Sequence, residues 1–169
     1  NKVIPVRLVK GAYWDSEIKY AQVSGFDNYS VFTRKPLTDL SWMACAIKLI
    51  KYQKNIFPAF ATHNAYSIAF IEEIARGCKF EFQRIHGMAD ILHNYFNKNS
   101  NLEKTKCRIY APVGDYEDLL PYLMRRLLEN GANTSFVNKL NDKNFKVEEF
   151  VIDPIEIIKK YNEYRNPYI

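Results

Sequence analysis

Glycine and proline are scarce in this chain, at 6 and 7 of 169 residues. That shortage excludes collagen-like and low-complexity classes. No G-x-G-x-x-G follows the first strand-like run, where Lys10-Gly11-Ala12 stands instead. An open dinucleotide-binding sheet would therefore lack its usual phosphate loop. The cysteines, Cys45, Cys78 and Cys107, are odd in number and far apart. They argue against a disulfide framework or a zinc knuckle and for reduced thiols in a cytosolic setting. His63, His86 and His93 share no metal-ligand spacing, so no metal site is expected. No apolar run approaches the roughly 20 residues that span a bilayer. Neither a signal peptide nor an initiator Met stands at Asn1, so the expectation is a piece cut from a longer protein.

What is present supports a folded domain. Hydrophobic residues make up 47% of the chain, enough for a core. The net charge is +5, but Lys and Arg are interspersed with Asp and Glu. No basic stripe forms, so a solvated cationic surface is expected and no nucleic acid contact.

Short β-rich runs alternate with helical ones. Val3 to Lys10, Pro58 to Thr62, Lys79 to Ile85 and Arg108 to Val113 read as strands. Asp15 to Ser24 reads as a short irregular helix, and Asp39 or Ser41 could cap a helix through Tyr52. Ala65 to Arg76 has Ile68, Ile71, Ile74 and Ala75 on its inward face and stops at Gly77. Met88 to Tyr95 is a short helix, Asn97 to Lys106 a loop, and Asp115 to Asn130 a long helix ended by Gly131. Alternating elements predict a parallel sheet with right-handed crossovers. Polar and aromatic residues gather after each strand, where a β/α barrel keeps its active site. The fold class is α/β, a (β/α)8 TIM-like barrel. A full barrel needs about 250 residues and eight units, and this chain covers about four. It is thus a half-barrel over 1–140, followed by a helical exit segment over 141–169 with Ile155 to Tyr164 helical.

Several residue groups could carry chemistry. Tyr122, Arg125, Arg126 and Glu129 lie along one helix edge at about 100° per residue. Two adjacent guanidinium groups suit a carboxylate, and Glu129 could orient either one. Spacing alone favours an exposed ion pair, worth well under about 1 kcal/mol. Arg7 lies mid-strand and needs an acceptor if buried. Lys10-Gly11-Ala12-Tyr13-Trp14 suits a flat anionic ligand, although Lys10 could instead be a Schiff-base nucleophile of an aldolase-like barrel. Thr62-His63-Asn64 ends a strand in three polar groups, and His63 is a ligand, a base or a satisfied structural histidine. Cys–His nucleophilic catalysis is not expected, because no Cys sits at a strand end beside a His. A third reading is a non-catalytic association domain.

Taken in order, Arg7-Leu-Val-Lys-Gly-Ala-Tyr-Trp-Asp, Phe32-Thr-Arg-Lys, Phe60-Ala-Thr-His-Asn, Glu81-Phe-Gln with His86-Gly-Met, Arg108-Ile-Tyr-Ala-Pro-Val-Gly and Tyr122 to Phe136 form one series. The series resembles the proline dehydrogenase domain of the bacterial bifunctional proline utilisation A flavoproteins, across about residues 3 to 155. The resemblance implies FAD-dependent oxidation of L-proline to 1-pyrroline-5-carboxylate, with electrons passed to a membrane quinone. It implies Arg7 near the flavin N5, with Tyr13 also at the reacting centre. Tyr13, Tyr110 and Tyr122 would wall the proline ring, and Arg125 and Arg126 would hold its carboxylate. Lys10, Gly11, Ala12, Trp14, Thr62, His63, Asn64, Gln83 and Phe136 would line the cofactor. Thr33 and Arg34 would lie near its phosphates or adenosine, and Glu129 would support the arginines or the ribityl chain. The exit segment would lead to an aldehyde dehydrogenase domain. The parent would be a cytoplasmic homo-oligomer peripherally associated with the inner membrane. Half a barrel exposes apolar edges, so the chain alone is expected to be inactive, to hold FAD poorly and to self-associate.

Overall fold

A computed structural model describes residues 2–99, 106–140 and 153–166, with side chains described up to 128 in the long helix that closes the second stretch. Four strands form one parallel sheet in the order β1-β2-β3-β4: β1 is Ile4–Leu8, β2 Ile56–Ala61, β3 Glu81–Ile85 and β4 Lys106–Tyr110. The helices are α1 (Trp14–Val23), α2 (Lys35–Lys51), α3 (Ala65–Ile74), α4 (Asp90–Asn99), α5 (Tyr116–Leu140) and α6 (Pro154–Ile158). The alternation of the sequence becomes four β/α units, with two helices after β1.

Parallel pairing puts register partners on the same face of the sheet. Leu8 pairs with Phe60, Phe60 with Phe82, and Phe82 with Cys107. This row faces the helices. Phe60 and Phe82 join Trp42, Ala46, Ile50, Ile68, Ile71, Ala75 and Phe80 in the core, with Leu8 and Cys107 packed at its margin. Trp42, Ala46 and Ile50 are spaced four apart, so they form one stripe of α2. The rings meet edge-on, Phe60–Phe80 at 5.7 Å and Phe80–Phe82 at 5.3 Å between centroids. That geometry matches the quadrupole preference of aromatic pairs.

The other face carries Arg7, Ala59, Glu81 and Lys106 in one row, and Ala61, Gln83 and Arg108 in the next. Proline in a central strand normally costs a ladder bond. Pro58 avoids this because β2 pairs with β3 only from Ala59 onward.

Boundaries differ from the sequence reading in instructive ways. α2 begins at Lys35 with Pro36 in its first turn, so Asp39 and Ser41 lie inside the helix and cap nothing. α4 continues to Asn99, beyond its expected end. α5 passes Gly131 without a break and runs to Leu140. Glycine inside a helix costs about 1 kcal/mol relative to alanine but does not forbid it. α6 stops at Ile158 rather than continuing to Tyr164, and it packs against α2.

Ile68 is fully buried while Ile91 is 88% exposed. Ile68→Ala should cost about 2–5 kcal/mol through lost burial and a residual cavity. Ile91→Ala should stay within about 0.5 kcal/mol of the unmodified chain. Urea unfolding midpoints at constant m compare the two.

Candidate functional site at the carboxyl ends of the strands

Polar and aromatic residues stand at or just after the end of each strand: Lys10 after β1, Thr62 after β2, His86 after β3 and Tyr110 at the end of β4. After β1 the chain turns through Gly11 at φ +71° and Tyr13 at φ +60°. The left-handed backbone suits glycine and is rare for tyrosine. It leaves the Tyr13 side chain 80% exposed just before α1. Ala12 is exposed beside it. Trp14 is tied down, its Nε1 donating to the Phe32 carbonyl at 2.9 Å.

Four of the expected residues form one cluster. The Arg7 guanidinium lies 5.1 Å from the centroid of the Tyr110 ring, a contact that reaches from the first strand to the fourth. Tyr110 is hydrogen-bonded to Tyr122 of α5. Arg126 stacks over Tyr122 at 5.5 Å. Burial, followed by the neighbouring Tyr122 phenol, holds the Tyr110 phenol above its ordinary pKa, against the opposing pull of Arg7 and Arg126. Tyr110 is therefore protonated at neutral pH. Two guanidinium groups and two phenols converge where β1, β4 and α5 meet. Arg125 is exposed on the same helix. The side chains of Glu129 and Phe136 lie outside the described residues.

Other expected residues are held in the protein's own hydrogen bonds. Lys10 Nζ donates to Asp39 Oδ1 at 2.9 Å and to Ser67 Oγ at 2.7 Å, and lies 5.0 Å over the Trp42 ring. Burial lowers its pKa, partly offset by Asp39. Burial also raises the Asp39 carboxyl, but Lys35 and Lys10 more than reverse that and hold it below its ordinary value. Asn64 caps α3, with its Oδ1 accepting from Ser67 N at 3.0 Å. His63 Nε2 accepts from Ile85 N at 3.1 Å. Thr62 is buried, its N–H donating to the Gln83 carbonyl at 3.2 Å. Gln83 Nε2 donates to Glu81 Oε1 at 2.7 Å. Thr33 and Arg34 meet the far end of the chain: Asn166 N donates to Thr33 Oγ1 at 2.8 Å, and Arg34 Nε donates to the Arg165 carbonyl at 3.1 Å.

Spacing did not single out several of these partners. Arg108 grips Glu81 with two parallel bonds, Nε to Oε1 at 2.8 Å and Nη2 to Oε2 at 2.9 Å. That bidentate geometry lowers the Glu81 carboxyl, against partial desolvation. The pair lies 27 residues apart in sequence, and only strand adjacency joins it. His93 is buried, with Nε2 3.1 Å from the Thr62 carbonyl and Nδ1 3.6 Å from Cys107 Sγ. A Cys–His contact thus exists, made by a Cys inside β4 rather than at the carboxyl end of a strand. It sits on the helix-covered face, where burial lowers His93 and raises Cys107. Both groups are neutral, so the thiol is not activated. Among the described residues no group of three or more His, Cys, Asp or Glu could hold a metal ion.

The comparisons with known proteins agree with one another. A family model described as proline dehydrogenase matches residues 1–139. The chain is 51% identical over 162 residues to the bifunctional protein PutA of Salmonella typhimurium, covering 92% of this chain and 12% of that protein. It is 34% identical over 139 residues to proline dehydrogenase 1 of Bacillus subtilis, covering 79% of this chain and 40% of that one. A solved structure of proline utilization A with proline bound in remote sites superposes with a TM-score of 0.83 at 49% identity, over 99% of this chain and 17% of that chain. The chain therefore spans a minor part of each of these relatives.

Acid should unfold the protein in a defined order. The folded pKa of His93 lies below 6.5, so its contribution begins to fall as pH drops through 6.5. The folded pKa values of Glu81 and Asp39 lie below 4.5 and 3.8, so theirs is present above those values and lost as pH falls through the lowered ones. Urea midpoints measured from pH 7 to 3 should therefore decline. Glu81→Gln should flatten the lower part of that decline, and an unchanged slope would contradict the Glu81 assignment.

Proposed function

Since this chain belongs to the proline dehydrogenase family, we propose that it is the closing half of a β/α barrel that oxidises L-proline to 1-pyrroline-5-carboxylate with FAD. The observation that carries this is the joining of Arg7, Tyr110, Tyr122 and Arg126 at the carboxyl ends of the strands. Proline is a small apolar ring bearing one carboxylate. Guanidinium groups bind a carboxylate through planar, charge-assisted bonds. Tyrosine rings supply flat apolar walls with a polar rim.

In this reading Arg126 and Arg125 hold the carboxylate, while Tyr13, Tyr110 and Tyr122 wall the ring. Arg7, on the helix-free face, adjoins the flavin and the reacting carbon. Fixing the carboxylate of so small a molecule leaves its other end little freedom, which is the orientation that the reaction needs. Tyr110 keeps its proton at neutral pH and so donates hydrogen bonds rather than acting as a base. The amine proton goes to water, or proline enters with its amine neutral.

The donor set also fits FAD: cationic and aromatic side chains at the strand ends, with Arg34 and Thr33 for its phosphates or adenosine. Lys10, Gly11, Ala12, Trp14, Thr62, His63, Asn64, Gln83, Glu129 and Phe136 would complete the cradle. Several of these would act as a hydrogen-bonded wall rather than as free hydrogen-bonding groups. FAD, when bound, supplies the hydride acceptor that proline oxidation requires. A Schiff-base reading of Lys10 has less support, because its amine is already engaged by Asp39 and Ser67.

We further propose that residues 1–140 are the barrel half and that 141–169 lead toward an aldehyde dehydrogenase domain. Electrons would pass to a membrane quinone from a cytoplasmic homo-oligomer that associates peripherally with the inner membrane. Exposed Ile4, Val9, Leu127 and Leu128 are apolar surface that the rest of a barrel or a partner would cover. No described helix is long and apolar enough to cross a membrane.

The chain alone should show no flavin absorbance near the visible maximum and no proline-dependent dye reduction. A polypeptide carrying residues 1–169 together with the barrel's opening half should show both. Turnover by the chain alone would sink the half-barrel reading, and a flavin-free completed barrel would sink the activity. In that completed barrel Arg126→Met should raise the proline KM steeply, by a loss of about 2–5 kcal/mol of binding, while FAD stays bound. Unchanged proline kinetics would remove Arg126 from the site.

A further inference from the structure

Thr33 and Arg34 end a loop, residues 27–34, that has no strand or helix of its own. Such a segment keeps one conformation only if outside groups hold it. Part of the hold comes from α1, through Trp14 Nε1 on the Phe32 carbonyl and Glu17 Oε2 accepting from Ser30 Oγ at 2.8 Å. The rest comes from the far end of the chain. α6 is seated on α2 with Pro154 buried, and Asp153 caps it by accepting from Ile155 N at 2.9 Å. That seat delivers residues 161–166 to the loop.

Five contacts then join the two segments beyond Pro154. Arg165 Nη1 donates to the Asp27 carbonyl at 3.1 Å, and its guanidinium lies 5.2 Å over the Tyr29 ring. The Arg165 carbonyl accepts from Arg34 Nε at 3.1 Å across 131 residues of sequence. Asn166 N donates to Thr33 Oγ1. In addition the Arg34 guanidinium stacks 4.3 Å from the centroid of the Tyr161 ring. The clasp therefore fixes the plane of the Arg34 fork through Nε and the ring. Among the described residues these contacts do not use the donors on the two terminal nitrogens, which are the ones suited to a phosphate.

We propose that Arg165 is a positioning residue: the 153–166 segment clasps the 27–34 loop and sets Thr33 and Arg34 for an anionic dinucleotide. This rests on the reading of those two residues as cofactor groups. It makes the far end of the chain part of the cofactor site. A free arginine side chain loses up to about 2 kcal/mol of rotamer entropy when immobilised, and the clasp removes that cost before the ligand arrives.

The test uses the completed barrel with Arg165→Ala, Arg165→Lys and Tyr29→Leu, read by hydrogen exchange and by FAD titration. Arg165→Ala should speed exchange across 27–34 by about tenfold or more and weaken FAD about tenfold, the scale of one lost charged hydrogen bond and one cation–π contact. Exchange in β2 and α3 should stay unchanged. At saturating FAD, kcat and the proline KM should match those of the unmodified protein. Arg165→Lys, which keeps a cation over Tyr29, should recover part of the loss, and Tyr29→Leu should reproduce part of it. Unchanged exchange across 27–34 would overturn the clasp. Faster exchange with unchanged FAD affinity would overturn the positioning role. An unmodified barrel that takes up no FAD, with 27–34 still protected, would overturn the cofactor reading and with it the role of Arg165.

Discussion

The row Leu8, Phe60, Phe82 and Cys107 is the constraint on which the rest of the structure depends. Burying it under α2 and α3 fixes which side of each strand faces the helices. The pleat then assigns the other side without further choice. Arg7, Glu81, Gln83, Arg108 and Tyr110 all fall on the helix-free face because their neighbours in sequence are committed to the core. A one-residue slip would place charged groups among the phenyl rings, at a cost that unpaired burial makes prohibitive. The polar face is thus a consequence of the apolar one.

At the strand ends the polar residues divide into two kinds. Lys10, His63, Asn64, Gln83 and Glu81 are spent on holding turns and adjacent strands in place. Arg7, Tyr110, Tyr122 and Arg126 instead meet one another, through guanidinium–ring contacts and the hydrogen bond between the two phenols. Buried hydrogen bonds fix the first group rigidly, and that rigidity is what makes the second group useful. Orientation of a small substrate is only as good as the frame behind it. The buried His93 belongs to the frame as well, because it touches the Thr62 carbonyl from the helix side.

Much of this was legible from the residues. Apolar spacing in Ala65 to Arg76 located the inward face of α3, and Ile68, Ile71 and Ala75 are indeed fully buried. The strand-like runs paired in the parallel order that their alternation with helices implied. The ordered motifs carried the family, which residues 1–139 bear out. Helix ends were less legible. Asp39 has the chemistry of a cap, but Pro36 starts the helix earlier and Lys10 claims the carboxylate. Gly131 has the chemistry of a stop, yet α5 continues through it. A stop residue acts through a small local preference, and helix continuity around it can exceed that preference.

By itself the sequence determined the periodicities, and so the strands, the helices and their apolar faces. It also determined the set of side chains available to a site, because these are local properties of a chain with fixed pleat and pitch. The tertiary structure alone decided which of those side chains meet. Glu81 finds Arg108 because β3 and β4 are neighbours. Arg7 finds Tyr110 across two intervening strands. Arg34 finds Arg165 because α6 seats on α2. These pairs lie tens to more than a hundred residues apart in sequence, and no local pattern encodes them. Their formation waits on closure of the sheet and packing of the helices, when the loop entropy opposing such contacts has already been offset by core burial.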